Sequence, residues 1–143
     1  MRRSGAAVAI RMRRKRAKRR AAPGADRRRI ETAAEFYLRA RFREHSPVST
    51  RDFADHLGVD RSHLTRRVKE YWGVPVGEFL RKRQLAEAIR LLTTTPLGVN
   101  RVWAASGFGT EWTFYRCFRA AFGVTPAEYR RRSQNVGRSR HGM

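Results

Sequence analysis

Apolar residues recur at three- and four-residue intervals through the middle of this chain, the spacing that gives a helix one buried stripe. From about Asp26 to Glu44 the stripe is Ile30, Ala33, Ala34, Tyr37, Leu38 and Phe42. His45-Ser46-Pro47 closes it, because proline disfavours helix at the residue before it. Ser49 predicts the next start, with Asp52 at the third helical place, Phe53, Ala54 and Leu57 inward, and Gly58 as a left-handed exit. Asp60 is expected to cap a helix over about 61–72, with Leu64, Val68, Tyr71 and Trp72 inward and Gly73 at its end. A longer stripe follows over 77–93, through Phe79, Leu85, Ala88, Ile89 and Leu92. It predicts a rigid rod roughly 25 Å long. After Pro96, Val99 and Val102 face inward and Gly107 makes a turn. Thr110 caps a helix over about 111–122 with Phe114, Cys117, Phe118, Ala121 and Phe122 on its core side, and Gly123 ends it. Thr125-Pro126-Ala127-Glu128 opens a short closing turn, and residues after Arg132 read as a frayed tail.

The pattern repeats itself. Asp60, Leu64, Arg66, Lys69, Gly73, Glu78 and Phe79 recur about fifty residues later as Thr110, Phe114, Arg116, Arg119, Gly123, Glu128 and Tyr129. Ahead of each copy stands a short helical stretch that ends at a glycine, Gly58 or Gly107. A helix, a tight glycine turn and a basic second helix make the unit that lays a helix in a DNA major groove. The expected fold is therefore all-α, with two helix-turn-helix subdomains, 26–75 and 96–131, joined by a linker helix over 76–95. Disordered basic tails, 1–25 and 132–143, are expected to flank them.

Charge supports a polyanionic partner but does not locate it. The formal net charge is +21 over 143 residues. Residues 1–30 hold thirteen Lys/Arg against the single acid Asp26, whereas 31–129 hold fifteen basic and eleven acidic residues. Most of the excess thus lies in the tails, and the folded part must be judged by where its arginines stand. The Arg/Ala-rich arm fits two readings, a solvated tail or a phosphate-binding arm, and Met12 offers a second start.

Cys117 is the only cysteine, so no internal disulfide forms and a reducing cytoplasm is the natural setting. No stretch of the chain reaches the roughly twenty apolar residues that span a bilayer, so no membrane partner is expected. His45, His56 and His63 with one cysteine give no metal-ligand spacing. No phosphate loop, nucleophile elbow or carboxylate pair is present, so neither catalysis nor a cofactor is expected.

The residues left facing outward on the two basic helices are the candidate site. In the first they are Arg61, Ser62, Thr65, Arg66 and Lys69; in the second, Glu111, Trp112, Tyr115, Arg116 and Arg119. Arginine can fork onto guanine O6 and N7, serine and threonine bond a base or a phosphate, and a carboxylate can accept from cytosine. Trp112 fits a thymine methyl, a sugar, or a contact within its own domain. The alternatives are a non-specific nucleic-acid protein bound mainly through its arm, and a protein-interaction module acting on the transcription machinery.

These positions resemble the DNA-binding domain of AraC/XylS-type bacterial transcription regulators over about Ile30 to Arg130. The likeness rests on Val99, Gly107-Phe108, Phe114, Arg116, Phe118, Gly123-Val124-Thr125-Pro126 and Tyr129-Arg130. Phe53-Ala54, Leu57-Gly58-Val59, Ser62-His63-Leu64, Gly73-Val74, Phe79-Leu80, Leu85, Ala88 and Leu91-Leu92 carry it through the first unit and linker. The resemblance implies seven helices and two recognition helices entering successive major grooves of promoter or operator DNA, with RNA polymerase as a further expected contact. With no room for the sensor domain that many members carry, the chain looks like the small stand-alone type, or like a member whose activity depends on abundance or on a partner, and it is expected to bind as a monomer. Departures from the family pattern are Trp103 in place of a small residue, Gly98 in place of a capping serine, Gln84 in place of arginine, and Thr113 in place of an aromatic.

Overall fold

Seven helices and no strand make up the described residues, 23–141, of the computed structural model; side chains are described for 24–138. They are α1 Pro23–Glu44, α2 Thr50–Leu57, α3 Arg61–Trp72, α4 Val76–Thr94, α5 Val99–Ala105, α6 Glu111–Phe122 and α7 Pro126–His141. The arginine-rich arm lies, over residues 1–22, outside the described residues. Pro23-Gly24, inside the span 1–25 expected to be an irregular tail, instead opens α1, since proline is tolerated where a helix's first amide has no partner.

The helices pack around two apolar clusters. Ile30, Ala34, Tyr37 and Leu38 of α1 meet Phe53 and Ala54 of α2, Leu64 and Val68 of α3, and Val76, Phe79 and Leu80 at the start of α4. Leu85, Ala88, Leu91 and Leu92 later in α4 meet Val102 and Ala105 of α5, Phe108, and Phe114 and Phe118 of α6. α4, 19 residues long, therefore contributes to both clusters, its first half to one and its second half to the other. Its length as a rod is about 28 Å, from a rise of about 1.5 Å per residue. Serving two clusters, α4 buries Val76, Leu80, Gln84 and Leu91, which a single stripe does not include.

Two ends differ from the sequence expectation. First, α7 runs 16 residues to His141, where a short turn and an irregular tail from residue 132 were expected. Its start is fixed by a reciprocal capping box. The Glu128 amide donates to Thr125 Oγ1 at 3.2 Å and the Thr125 amide to Glu128 Oε2 at 3.1 Å. Beyond Arg130 no proline interrupts it, and its polar surface leaves no apolar stripe from which to read a helix. Second, Asp60 stands at the start of α3 but its side chain makes no capping bond. Ser49 and Thr110 do cap, each accepting from the amide three residues on.

The departures at Trp103 and Gly98 are absorbed locally. The Trp103 indole packs half-buried against the second cluster and donates Nε1–H to the Asn100 carbonyl at 2.8 Å. Gly98 precedes α5 without a side-chain cap, and the Asn100 side chain occupies the space a Cβ would take.

Candidate nucleic-acid interface

Both basic helices are presented by the same backbone device. At the end of α2 the Gly58 amide donates to the Asp55 carbonyl at 3.0 Å and the Val59 amide to the Ala54 carbonyl at 3.1 Å. After α5 the Gly107 amide donates to Ala104 at 3.1 Å and the Phe108 amide to Trp103 at 2.9 Å. This pairing is the Schellman motif, which needs a residue in the left-handed region. Gly58 supplies it at φ 70° and Gly107 at φ 78°. Each turn sends the chain straight into the next helix. α2 itself starts at Ser49, whose Oγ accepts from the Asp52 amide at 3.0 Å. The Ser49 amide donates to the Tyr37 hydroxyl at 3.2 Å, so the first unit's leading helix is tied to α1 rather than closed by Asp52. Asp52 pairs with Arg41 at 3.5 Å.

In α3 the buried pair Leu64 and Val68 sets the roll of the helix, and Arg61, Ser62, Thr65, Arg66 and Lys69 are all exposed on the other side. The Thr65 hydroxyl donates to the Arg61 carbonyl at 2.8 Å, so its lone pairs remain to accept. Lys69 reaches forward to the end of the helix and donates from Nζ to the Gly73 carbonyl at 3.1 Å. Among the described residues the guanidinium groups of Arg61 and Arg66 have no hydrogen bond or ion pair. Their neighbour Arg67 is different: it reaches Glu70 at 3.0 Å and Asp26 of α1 at 3.6 Å. Tyr71 donates to the same Asp26 carboxylate at 2.8 Å, and burial followed by that hydrogen bond holds its phenol above the ordinary pKa. Asp26 is thus the residue that clamps α3 onto α1, a role invisible in a sequence where it stands alone among arginines.

In α6 the buried pair is Phe114 and Phe118, and Glu111, Trp112, Arg116 and Arg119 are exposed. Thr110 Oγ1 accepts from the Thr113 amide at 3.1 Å, fixing the start of the helix. Trp112 is 68% exposed and the Arg116 guanidinium lies 4.7 Å from the centre of its ring. Cation and aromatic therefore form one surface. Tyr115, expected to face outward, is half-buried with its ring 5.7 Å from Phe114; burial, then the Glu111 carboxylate, raises its pKa. At the far end Ala121 and Phe122, expected on the core side, are exposed, Phe122 to 38%. Tyr129 of α7 covers that last turn in part, with its ring 5.7 Å from Phe122. Cys117 is a half-buried free thiol.

The outward face of α3 therefore combines small hydroxyls with arginines, while that of α6 combines an aromatic plane with arginines and a carboxylate. No helix among the described residues is long and apolar enough to cross a membrane. Among them no group of three His, Cys, Asp or Glu residues could hold a metal ion.

Comparison with known proteins agrees with this geometry. A family model for a helix-turn-helix domain matches residues 53–132. The chain is 35% identical over 83 residues to the transcriptional activator AarP of Providencia stuartii, covering 58% of this chain and 62% of that protein, a little under two thirds of its length. It is 30% identical over 94 residues to the probable transcription factor PqrA of Proteus vulgaris, covering 66% and 77%. Among solved structures, a regulator with an AraC-type DNA-binding domain from Chromobacterium violaceum superposes with a TM-score of 0.63 at 28% identity, over 77% of this chain and 96% of that one. The DNA-binding domain of AdpA, solved with a target DNA, shares the fold with a TM-score of 0.64 at 23% identity, over 80% and 96%.

Proposed function

The chain belongs to the AraC-type helix-turn-helix family of transcription regulators, and on that premise we propose that it binds a specific double-stranded DNA site as a monomer. In this reading α3 and α6 enter successive major grooves on one side of the duplex. The observation that carries the proposal is the matched construction of the two units. Each has a glycine Schellman turn, a buried apolar pair one helical turn apart, and an opposite face bearing arginines.

The roles follow from side-chain chemistry. Arg61, Arg66, Arg116 and Arg119 supply forked donors for guanine edges or phosphates, and Ser62 and Thr65 accept or donate at a base or phosphate. Glu111 accepts from a cytosine amino group, and Trp112 lies against a thymine methyl or sugar. Lys69, held at the end of α3, and half-buried Tyr115 act as backbone contacts at the edge of the groove. Such a regulator works in the cytoplasm, beside the bacterial chromosome, and bound at a promoter it can also touch RNA polymerase.

Selection of bound sites from a random duplex pool tests the proposal. The expected result is a bipartite consensus whose two halves lie about ten base pairs, one helical turn, apart. Uniform affinity for all duplexes would overturn it.

A further inference from the structure

The two recognition helices are joined by more than the linker rod. Three segments meet at one backbone atom, the Gly107 carbonyl oxygen, in the turn that leads into α6. The Val48 amide, from the loop between α1 and α2, donates to it at 2.8 Å. The Gln84 side chain, midway along α4, donates to it from Nε2 at 2.9 Å and approaches the Ser106 carbonyl at 3.4 Å. First unit, linker and second unit thus converge there, and both lone pairs of the carbonyl are used.

The packing at this joint is tight. A Cβ at Gly107 would fall 2.6 Å from Val48 Cγ2, 3.4 Å from Phe42 Cε1 and 3.5 Å from Gln84 Nε2. Gly73 and Gly123, the left-handed glycines that end α3 and α6, have nothing within 4 Å of that position. Gly107 therefore serves two needs at once, a left-handed turn and a close approach between units. Nearby, a Cβ at Gly109 would lie 4.0 Å from the Pro47 ring.

Gln84 is 7% exposed on a helix whose other buried positions are all apolar. An apolar residue of similar size would fill the same space without the cost of burying an amide. What the amide adds is direction. A hydrogen bond weakens steeply away from its preferred geometry, so two of them on one oxygen fix the orientation of the turn in a way that apolar contact alone does not require.

We infer that Gln84 is a positioning residue for DNA recognition: with the Val48 amide it holds the Gly107 carbonyl and so sets the angle between the two recognition helices. This rests on the two-groove reading above.

The test uses the full chain and its Gln84→Met variant, which keeps length and burial but removes the donor. Affinity is measured on the selected duplex and on duplexes with one base pair added or removed between the half-sites. In parallel, amide hydrogen exchange is followed by NMR without DNA. The wild type should disfavour the altered spacings by about tenfold, and the variant by no more than about threefold. The Val48 amide should exchange about tenfold faster in the variant while the Val68 and Phe118 amides keep their rates. Unchanged spacing preference, an unchanged Val48 rate, or equal acceleration at Val68 and Phe118 would overturn the inference. If the wild type prefers no duplex at all, the functional reading fails, and the exchange measurement alone still decides whether Gln84 holds the joint.

Discussion

Adjacent arginines on α3 show how position on a helix separates structural from recognition chemistry. Arg67 lies on the side facing α1 and is held by Asp26 and Glu70. Arg66, about a hundred degrees around the helix, is exposed and has no ion pair among the described residues. Arg66→Ala is expected to cost on the order of 1–3 kcal/mol of binding and to relax base preference in one half-site, as read by gel-shift titration on single-base variants. Its melting temperature should stay at the wild-type value, because exposed substitutions usually change stability by no more than about 0.5 kcal/mol. An equal loss of affinity on every sequence would make Arg66 a phosphate contact instead. The same logic applies to Trp112, which is largely exposed with the Arg116 guanidinium over its ring. It contributes little to the fold, so Trp112→Ala should weaken binding while leaving the thermal transition in place. A fall in melting temperature with unaltered binding would assign it to packing.

At the scale of the helices, ends matter as much as faces. The last carbonyls of α4 are met by one side chain from α7: Arg130 donates to Leu92 at 3.0 Å, to Leu91 at 3.3 Å and to Thr95 at 3.4 Å. Arg130→Ala should therefore lower stability by about 1–3 kcal/mol in a denaturant titration, since it leaves half-buried carbonyls without a charged donor. A change below about 0.5 kcal/mol would mean that solvent replaces it freely. Helix positions and the two glycine turns were legible in the sequence because apolar periodicity and left-handed glycines are local signals. Three features were not, for physical reasons. The extent of α7 leaves no apolar stripe beyond Arg130. The missing cap at Asp60 depends on where its side chain settles, which residue type alone does not report. Gln84, Asp26 and Arg130 act on residues between 22 and 45 positions away, a distance that no local pattern reports. Of the site, the outward arginines follow from the stripe itself, whereas the half-burial of Tyr115, with its ring 5.7 Å from Phe114, does not.

For the whole molecule, two small clusters share one rod and one backbone joint. Residues 1–30 carry thirteen of the chain's 33 basic residues. Deleting residues 1–22, which precede α1, should weaken DNA binding and flatten its dependence on salt while leaving the preferred sequence unchanged, because phosphate contacts give affinity without base information. Complete loss of binding on that deletion would favour the arm as the main binding element. Whether α3 and α6 read one face of one duplex together is decided by hydroxyl-radical footprinting on the selected site. The expected pattern is two protected segments about ten base pairs apart on the same side of the helix, spanning about twenty base pairs in all. A single protected segment, or two on opposite sides, would contradict it.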